Sequence, residues 1–319
     1  MLHRNSIRNY GRDNIARTAI ECGSPSTKGK ACRGRALPVM LMLAVWLALV
    51  GAMGWAIADE KGTKPPRPDD RTLELGRLVY EQNCAICHGT LGGGRGMPSM
   101  MLRTKPRDFR SGNFKFRSTP TGSLPTDADL FETVSRGLRG TGMIGQEFLP
   151  EGERWAVVAY LKTFSERFER EKPQAPVPIP KPPPRTPELT ARGRDLYQKA
   201  ECFKCHGAEG RGDGPSATDL KDDWGYPIQA TDLTRPLKRG SAPEAIYRTM
   251  VTGLAGTPMP SYEGALSDEE FWALAFYVAS LNTGTLSYRQ RREEAAGQHV
   301  LRMHGGRGPG MMRRMPMMR

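Results

Sequence analysis

LELGRLVYEQNCAICH, residues 73 to 88, and LTARGRDLYQKAECFKCH, residues 189 to 206, decide how this chain is read. Each joins an apolar-periodic stretch, which predicts a helix, to the motif C-x-x-C-H. Cysteines at i and i+3 on a helical turn share one face, and a histidine at i+4 from the first cysteine stands beside them. Of the five histidines in the sequence, only His88 and His206 lie between residues 59 and 288, and both close such a motif. A histidine-rich metal centre is therefore excluded from the body.

The two motifs belong to a longer repeat. Gly76-Arg77 and Tyr80 recur as Gly193-Arg194 and Tyr197, Cys84 as Cys202, Met143 as Met259, Trp155 as Trp272 and Tyr160 as Tyr277, with offsets of 116 to 118. Two homologous domains follow. In each copy a Gly-rich loop comes after the motif. Then come a helix signal (DADLFETVSRGL or APEAIYRTMVTGL), a methionine loop and an aromatic helix, near residues 151 to 168 and 268 to 281. Ser267 and Glu270 have the spacing of a capping box. No alternating strand pattern of useful length competes, so the body is expected to be mainly α. KPQAPVPIPKPPPRTP, residues 172 to 187, holds eight prolines and reads as a semi-rigid linker within 169 to 187. Fully extended it would separate its ends by about 50 Å, and folding back would bring the domains closer.

The formal charge of +13 suggests a nucleic-acid binder until it is located along the sequence. Residues 1 to 58 carry 8 Lys/Arg against 2 acids and residues 289 to 319 again 8 against 2, leaving 31 against 30 between them. Nucleic-acid binding by the body is excluded on that balance. Residues 1 to 35 read as a basic cytoplasmic segment, and residues 36 to 58, without a charge, as a transmembrane anchor or signal sequence. As a helix those 23 residues would span about 34 Å. The basic flank places everything after Asp59 on the far side of the membrane. Ala56-Ile57-Ala58 has the form of a signal-peptidase site, so the body is either anchored at the periplasmic side of a bacterial inner membrane or, if cleaved after Ala58, soluble in the periplasm. Cys22 and Cys32 read as free thiols on the reducing side, and no exported cysteine is left for a disulfide. Residues 284 to 319 lose hydrophobic periodicity and read as a disordered basic tail rich in Met and Gly, suited to acidic lipid or an acidic partner. Its His299, Met303, His304 and the methionines from Met311 to Met318 are also candidate soft ligands for Cu(I).

A zinc ribbon would need its two cysteine pairs some 15 to 20 residues apart. Here 114 residues intervene. A thioredoxin-like pair leaves the following histidine, the repetition and the downstream methionine unexplained. In an exported protein the C-x-x-C-H motif is the haem-attachment arrangement, in which both thiols add to porphyrin vinyl groups and the imidazole ligates iron. Two covalently bound haem c groups are expected, one on Cys84 and Cys87 with His88, the other on Cys202 and Cys205 with His206.

On these motifs, residues 72 to 168 and 188 to 283 each resemble a class I cytochrome c domain, together about 190 of the 319 residues. The resemblance implies two small helical domains whose first and last helices cross near Gly76 and Gly193, with Trp155, Tyr160, Trp272 and Tyr277 packed in the core. The sixth iron ligand must come from elsewhere, and neither domain has a spare histidine. Met259, in GTPMPSY between two stiffening prolines, is the candidate in domain two. Met143, in GTGMIGQ, is the candidate in domain one, but the proline after it is missing. Core packing or a weakly held ligand is its alternative reading. Met97, Met100 and Met101 follow His88 too closely and are expected on the proximal side.

The arrangement is similar to the dihaem subunit of cbb3-type oxidases and to cytochromes attached to membrane dehydrogenases. The expected role is single-electron transfer between respiratory-chain proteins (an oxidase, reductase or dehydrogenase), with no small-molecule substrate and no catalytic residues. A dihaem peroxidase would need further histidine ligation, and a haem ligand sensor would need one open iron, for which the missing proline is the only hint. GGGRG at Gly92 to Gly96 lacks the Lys-Ser/Thr ending of a phosphate loop and reads as the turn after haem attachment. The basic and aromatic stretch Arg103 to Arg117 suits haem propionates, an acidic redox partner or an ordinary solvated loop.

Overall fold

A computed structural model describes residues 69 to 304. The basic N-terminal segment, the anchor or signal stretch with its A-x-A site, Cys22, Cys32 and the methionines from Met311 to Met318 lie outside the described residues.

In domain one, α1 (Asp70–Asn83) opens at Asp69, whose carboxylate accepts the Thr72 amide at 2.7 Å, and runs into the short α2 (Ala85–His88). Next come α3 (Asp127–Arg136), started by a capping box between Thr126 and Asp129, then α4 (Glu151–Lys162) and the single turn α5 (Arg167–Arg170). Domain two repeats the order with α6 (Pro187–Lys199), α7 (Phe203–His206), α8 (Pro243–Thr252) and α9 (Asp268–Leu281). The Ser267–Glu270 capping box is formed, with both reciprocal hydrogen bonds. Among the described residues there are no strands, only the isolated bridges Gly137–Ile144 and Lys221–Pro227. The mainly α expectation therefore holds.

The two domains are organised by the same close approach. A Cβ on Gly76 would stand 2.1 Å from the Ala156 carbonyl oxygen of α4, and one on Gly193 would stand 2.0 Å from that of Ala273 in α9. Only glycine lets the first and last helices cross at this separation. Around the crossing Val79, Tyr80, Val157 and Val158 are buried in domain one, and Tyr197, Trp272, Leu274 and Tyr277 in domain two. Tyr160 is half-buried against Tyr80 and Phe164, with ring centroids 5.5 and 5.2 Å away.

Trp155 departs from the core expectation. It is 39% exposed on the outer face of α4, stacked on Phe131 at 4.0 Å, and its indole N–H donates to Glu151. Trp272, its counterpart, is 2% exposed and packs on the buried Tyr247 at 4.6 Å. Domain two buries its tryptophan in a core that also takes Val177 and Ile179 from the linker. Domain one satisfies the same residue at the surface with a ring and a carboxylate.

Residues 171 to 186 form no helix, in keeping with their prolines. The linker lies along both domains instead of holding them apart. The Val177 amide donates to the Ser118 carbonyl, the Gln174 amide to the Ser123 hydroxyl, and Arg185 to the Phe276 carbonyl. The stretch Arg103 to Arg117 forms much of the seam between the domains. Arg117 donates to the Thr252 carbonyl at 2.7 Å, Arg103 to Gln229 at 2.5 Å, and Arg107 stacks 4.4 Å over the Trp224 ring. From the opposite side Arg239 pairs with Glu132, donates to Thr133 and lies over Phe116.

The disordered-tail expectation for 284 to 319 fails over the part described. Residues Tyr288–Met303 form a helix, α10, capped reciprocally by Ser287 and Gln290. It packs back on domain one through Gly297, with Glu293 and Glu294 accepting the Thr104 and Gly140 amides, and Leu301 is also buried. His299, Met303 and His304 are exposed at its end.

The crossing gives a direct test. Gly193→Ala forces the α9 backbone outward, and overpacking of this kind costs about 1–3 kcal/mol. Chemical denaturation is expected to show domain two less stable by that amount, while Gly152→Ala, on α4 of domain one where a Cβ meets nothing within 4 Å, leaves domain two unchanged and stabilises domain one by up to about 1 kcal/mol.

Candidate haem-attachment sites

Each C-x-x-C-H segment is delivered by its first helix and then held from three sides. The Tyr80 hydroxyl on α1 donates to the Gly89 carbonyl at 2.6 Å, and Tyr197 on α6 to the Gly207 carbonyl at 2.7 Å, tying the helix to the residue just after the motif. The Gly-rich loop then folds over the motif, with Gly94 N–H donating to the His88 carbonyl at 2.8 Å and Gly212 N–H to that of His206 at 2.7 Å. A Cβ on Gly96 would lie 2.0 Å from the Ile86 carbonyl oxygen, and one on Gly214 would lie 2.3 Å from that of Phe203. The loop that superficially resembled a phosphate cradle is this close turn. Met97, Met100 and Met101, further along it, are 72%, 86% and 87% exposed.

The third support fixes the imidazoles. His88 Nδ1 lies 3.1 Å from the Arg107 carbonyl oxygen and His206 Nδ1 lies 2.9 Å from that of Thr231. A carbonyl only accepts, so Nδ1 carries the proton and Nε2 is left with its lone pair free for a metal. Burial holds both rings neutral, pushing His88 down to about 4 and His206 below its ordinary value. The His88 ring also stacks on Phe109 at 4.4 Å. Burial raises Cys84 to about 12 and Cys202 to about 11, and raises Cys87 as well, so these groups stay protonated thiols.

The sequence reading missed the two carbonyls, because a backbone acceptor has no residue-type signature. Its trace is the repeated pair Asp108-Phe109 and Asp232-Leu233. Each aspartate accepts the amide two residues on, at 3.0 and 2.9 Å, in a side-chain turn that follows the acceptor carbonyl. Phe109 and Leu233 amides then donate to Gly92 and Gly210, closing the ring of loops around the motif.

The methionine loops share one hydrogen-bond scaffold. Leu138 N–H donates to the Met143 carbonyl at 2.8 Å and the Thr141 hydroxyl accepts the Met143 amide at 3.1 Å. In domain two Leu254 donates to the Met259 carbonyl at 3.2 Å and Thr257 accepts the Met259 amide at 3.3 Å. Both methionines are half-buried, and Met259 borders the same core cluster as Cys202.

The surrounding charges suit a haem c, whose two propionates are anionic. Arg107 Nη1 is buried without a protein acceptor, and burial pushes its guanidinium down to about 10 and the Lys115 ammonium down to about 8. Lys238, near His206, is lowered by the same cause. Desolvated cations of this kind call for anionic partners, of which Asp222, Asp223 and Asp108 near Arg107 and Glu293 near Lys238 already supply a part. Among the described residues no cluster of three or more His, Cys, Asp or Glu could hold a separate metal ion.

Two family descriptions match the two halves: "Cytochrome c" over residues 190–282 and "Cytochrome C oxidase, cbb3-type, subunit III" over residues 71–161. The chain belongs to the cytochrome c family and carries two such domains in tandem. Among solved structures it is similar to a chain of the reducing HAO-like protein complex of Kuenenia stuttgartiensis, at 47% identity and a TM-score of 0.65 over 66% of this chain and 96% of that one. Curated relatives include the cbb3-type cytochrome c oxidase subunit FixP of Bradyrhizobium diazoefficiens, 27% identical over 66% of this chain and 61% of its own length. The subunit CcoP of an Azospirillum species is 26% identical over 66% of this chain and 62% of its own length. This chain thus spans somewhat under two thirds of these curated relatives.

A single-cysteine variant tests the attachment chemistry. Cys84→Ala is expected to leave one porphyrin vinyl group unsaturated and still conjugated, moving part of the pyridine haemochrome absorption to longer wavelength, while denaturing mass spectrometry still finds haem on Cys87.

Proposed function

We propose that this protein binds two haem c groups covalently, on Cys84, Cys87 and His88 and on Cys202, Cys205 and His206, with Met143 and Met259 as the second axial ligands. Its role is to pass single electrons between respiratory-chain proteins. The observation that carries the reading is the duplicated imidazole, each Nδ1 anchored to a loop carbonyl behind a pair of thiols. When bound, haem supplies an iron that cycles between the ferrous and ferric states by one electron. The protein's own residues do the rest. The loop carbonyls orient the imidazoles, the apolar core excludes water, and the buried cations of the seam stand ready for the propionates.

A histidine and a methionine at each site would together hold the iron and raise its reduction potential, which favours transfer over substrate binding. The scaffold shared by the two methionine loops supports the same role for Met143 as for Met259 and speaks against an open-iron sensor. A peroxidase reading would need histidine ligands that the body lacks.

The partner is a larger redox assembly. The relatives' names offer two kinds, a cbb3-type oxidase and a reducing HAO-like complex, and the 47% identity favours the second over the oxidase relatives at 26–27%. Export follows from the N-terminal segment, with residues 36 to 58 as anchor on the periplasmic side of an inner membrane or as a cleaved signal. No helix of the described residues is long and apolar enough to cross a membrane.

An optical redox titration tests the function. Two low-spin haems with the far-red methionine-to-ferric-iron band are expected, and Met259→Leu should abolish the band of one haem and lower its potential. One high-spin haem that binds added ligand in the unaltered protein would instead establish an open site.

A further inference from the structure

The two axial loops reach the same backbone scaffold by different means. In domain two, GTPMPSY (residues 256–262), Pro258 and Pro260 flank Met259 and restrict φ to about −65° on both sides. In domain one, GTGMIGQ (residues 140–146), the first of those positions is Gly142, the least restricted residue, and the second is Ile144. Left to its own sequence the domain-one loop would be the looser of the two.

What lies across it is α10. Glu294 Oε1 accepts the Gly140 amide at 2.6 Å, and the Gln290 side chain lies so close that a Cβ on Gly140 would be 2.8 Å from its Nε2. The helix backbone comes nearest at Gly297, where a Cβ would stand 2.3 Å from the Gly142 carbonyl oxygen. From elsewhere in domain one, Leu102 meets the Gly142 position at 2.9 Å. Glu293 extends the contact to the Thr104 amide at 3.0 Å. Only Gly297 and Leu301 of α10 are buried, so this helix contributes little apolar core. Its contacts with Gly140 and Gly142 fall on the residues just before Met143.

We propose that α10 braces the axial-ligand loop of domain one, and that Glu294 and Gly297 are positioning residues for Met143. They supply through tertiary contact the rigidity that Pro258 and Pro260 supply in domain two. The proposal rests on the reading of Met143 as an iron ligand. It assigns to the segment after domain two a role in the redox centre of domain one.

The test uses the full-length, haem-loaded protein, with haem two as internal reference. Gly297→Val is expected to remove much of the far-red methionine band of one haem, make that ferrous haem reactive toward carbon monoxide and lower its midpoint potential, while the other haem keeps unaltered values. Glu294→Ala should give a smaller change of the same kind, and Glu294→Gln, which keeps an acceptor oxygen, should restore the unaltered spectrum. Retention of both bands and of unaltered carbon monoxide reactivity in Gly297→Val and Glu294→Ala overturns the brace. If Gly297→Val does not accumulate, Glu294→Ala against Glu294→Gln decides on the same readouts, and identical spectra for the two overturn it. Met143→Leu separates the underlying reading: if that variant keeps both bands, Met143 is not the ligand and the assignment itself has failed.

Discussion

Everything in this body is positioned by the contact between a glycine on the first helix of each domain and a carbonyl on the last. At Gly76 and Gly193 the helices approach so closely that a methyl group would overlap Ala156 or Ala273. That approach fixes where α1 and α6 end, and hence where the cysteines and histidines begin. Tyr80 and Tyr197, one turn further along, carry the constraint onward by reaching past the motif to Gly89 and Gly207. A looser crossing would move the motif relative to the loop carbonyls that orient the imidazoles.

The two domains then solve the same local problems with different residues. Trp155 is settled at the surface by Phe131 and Glu151, while Trp272 sits beneath Tyr247. His88 stacks on Phe109, whereas the matching position in domain two holds Leu233. One methionine loop is stiff by sequence and the other lies under a helix from beyond domain two. Such asymmetry gives the two C-x-x-C-H sites different surroundings, and under the proposed haem ligation different surroundings would give different affinities for an electron.

The local features were legible because their signals are periodic or compositional. C-x-x-C-H, the Ser267–Glu270 cap and the helices they frame belong to short windows of sequence, and the repeat shows as the same windows met twice. What the sequence concealed is made by backbone or by charge. The seam uses Arg117 on the Thr252 carbonyl and Arg107 on a tryptophan face, so a stretch that reads as a basic loop is an internal surface. Helix α10 was missed because a glycine and two carboxylates make its contacts, and neither registers in a hydrophobic pattern. The linker's prolines disclosed an extended path but not its direction, which Ser118, Ser123 and Phe276 determine.

The placement of α10 also bears on how the molecule comes into being. Thr104 meets Glu293 across 189 residues of sequence and Gly140 meets Glu294 across 154. Contacts of such separation form late, because the loop they close must first be ordered. A polypeptide that folds as it emerges N-terminus first would complete domain two before domain one received its last helix. The domain made first is therefore the one finished last, and a product truncated after domain two would hold both motifs yet present domain one in an immature form.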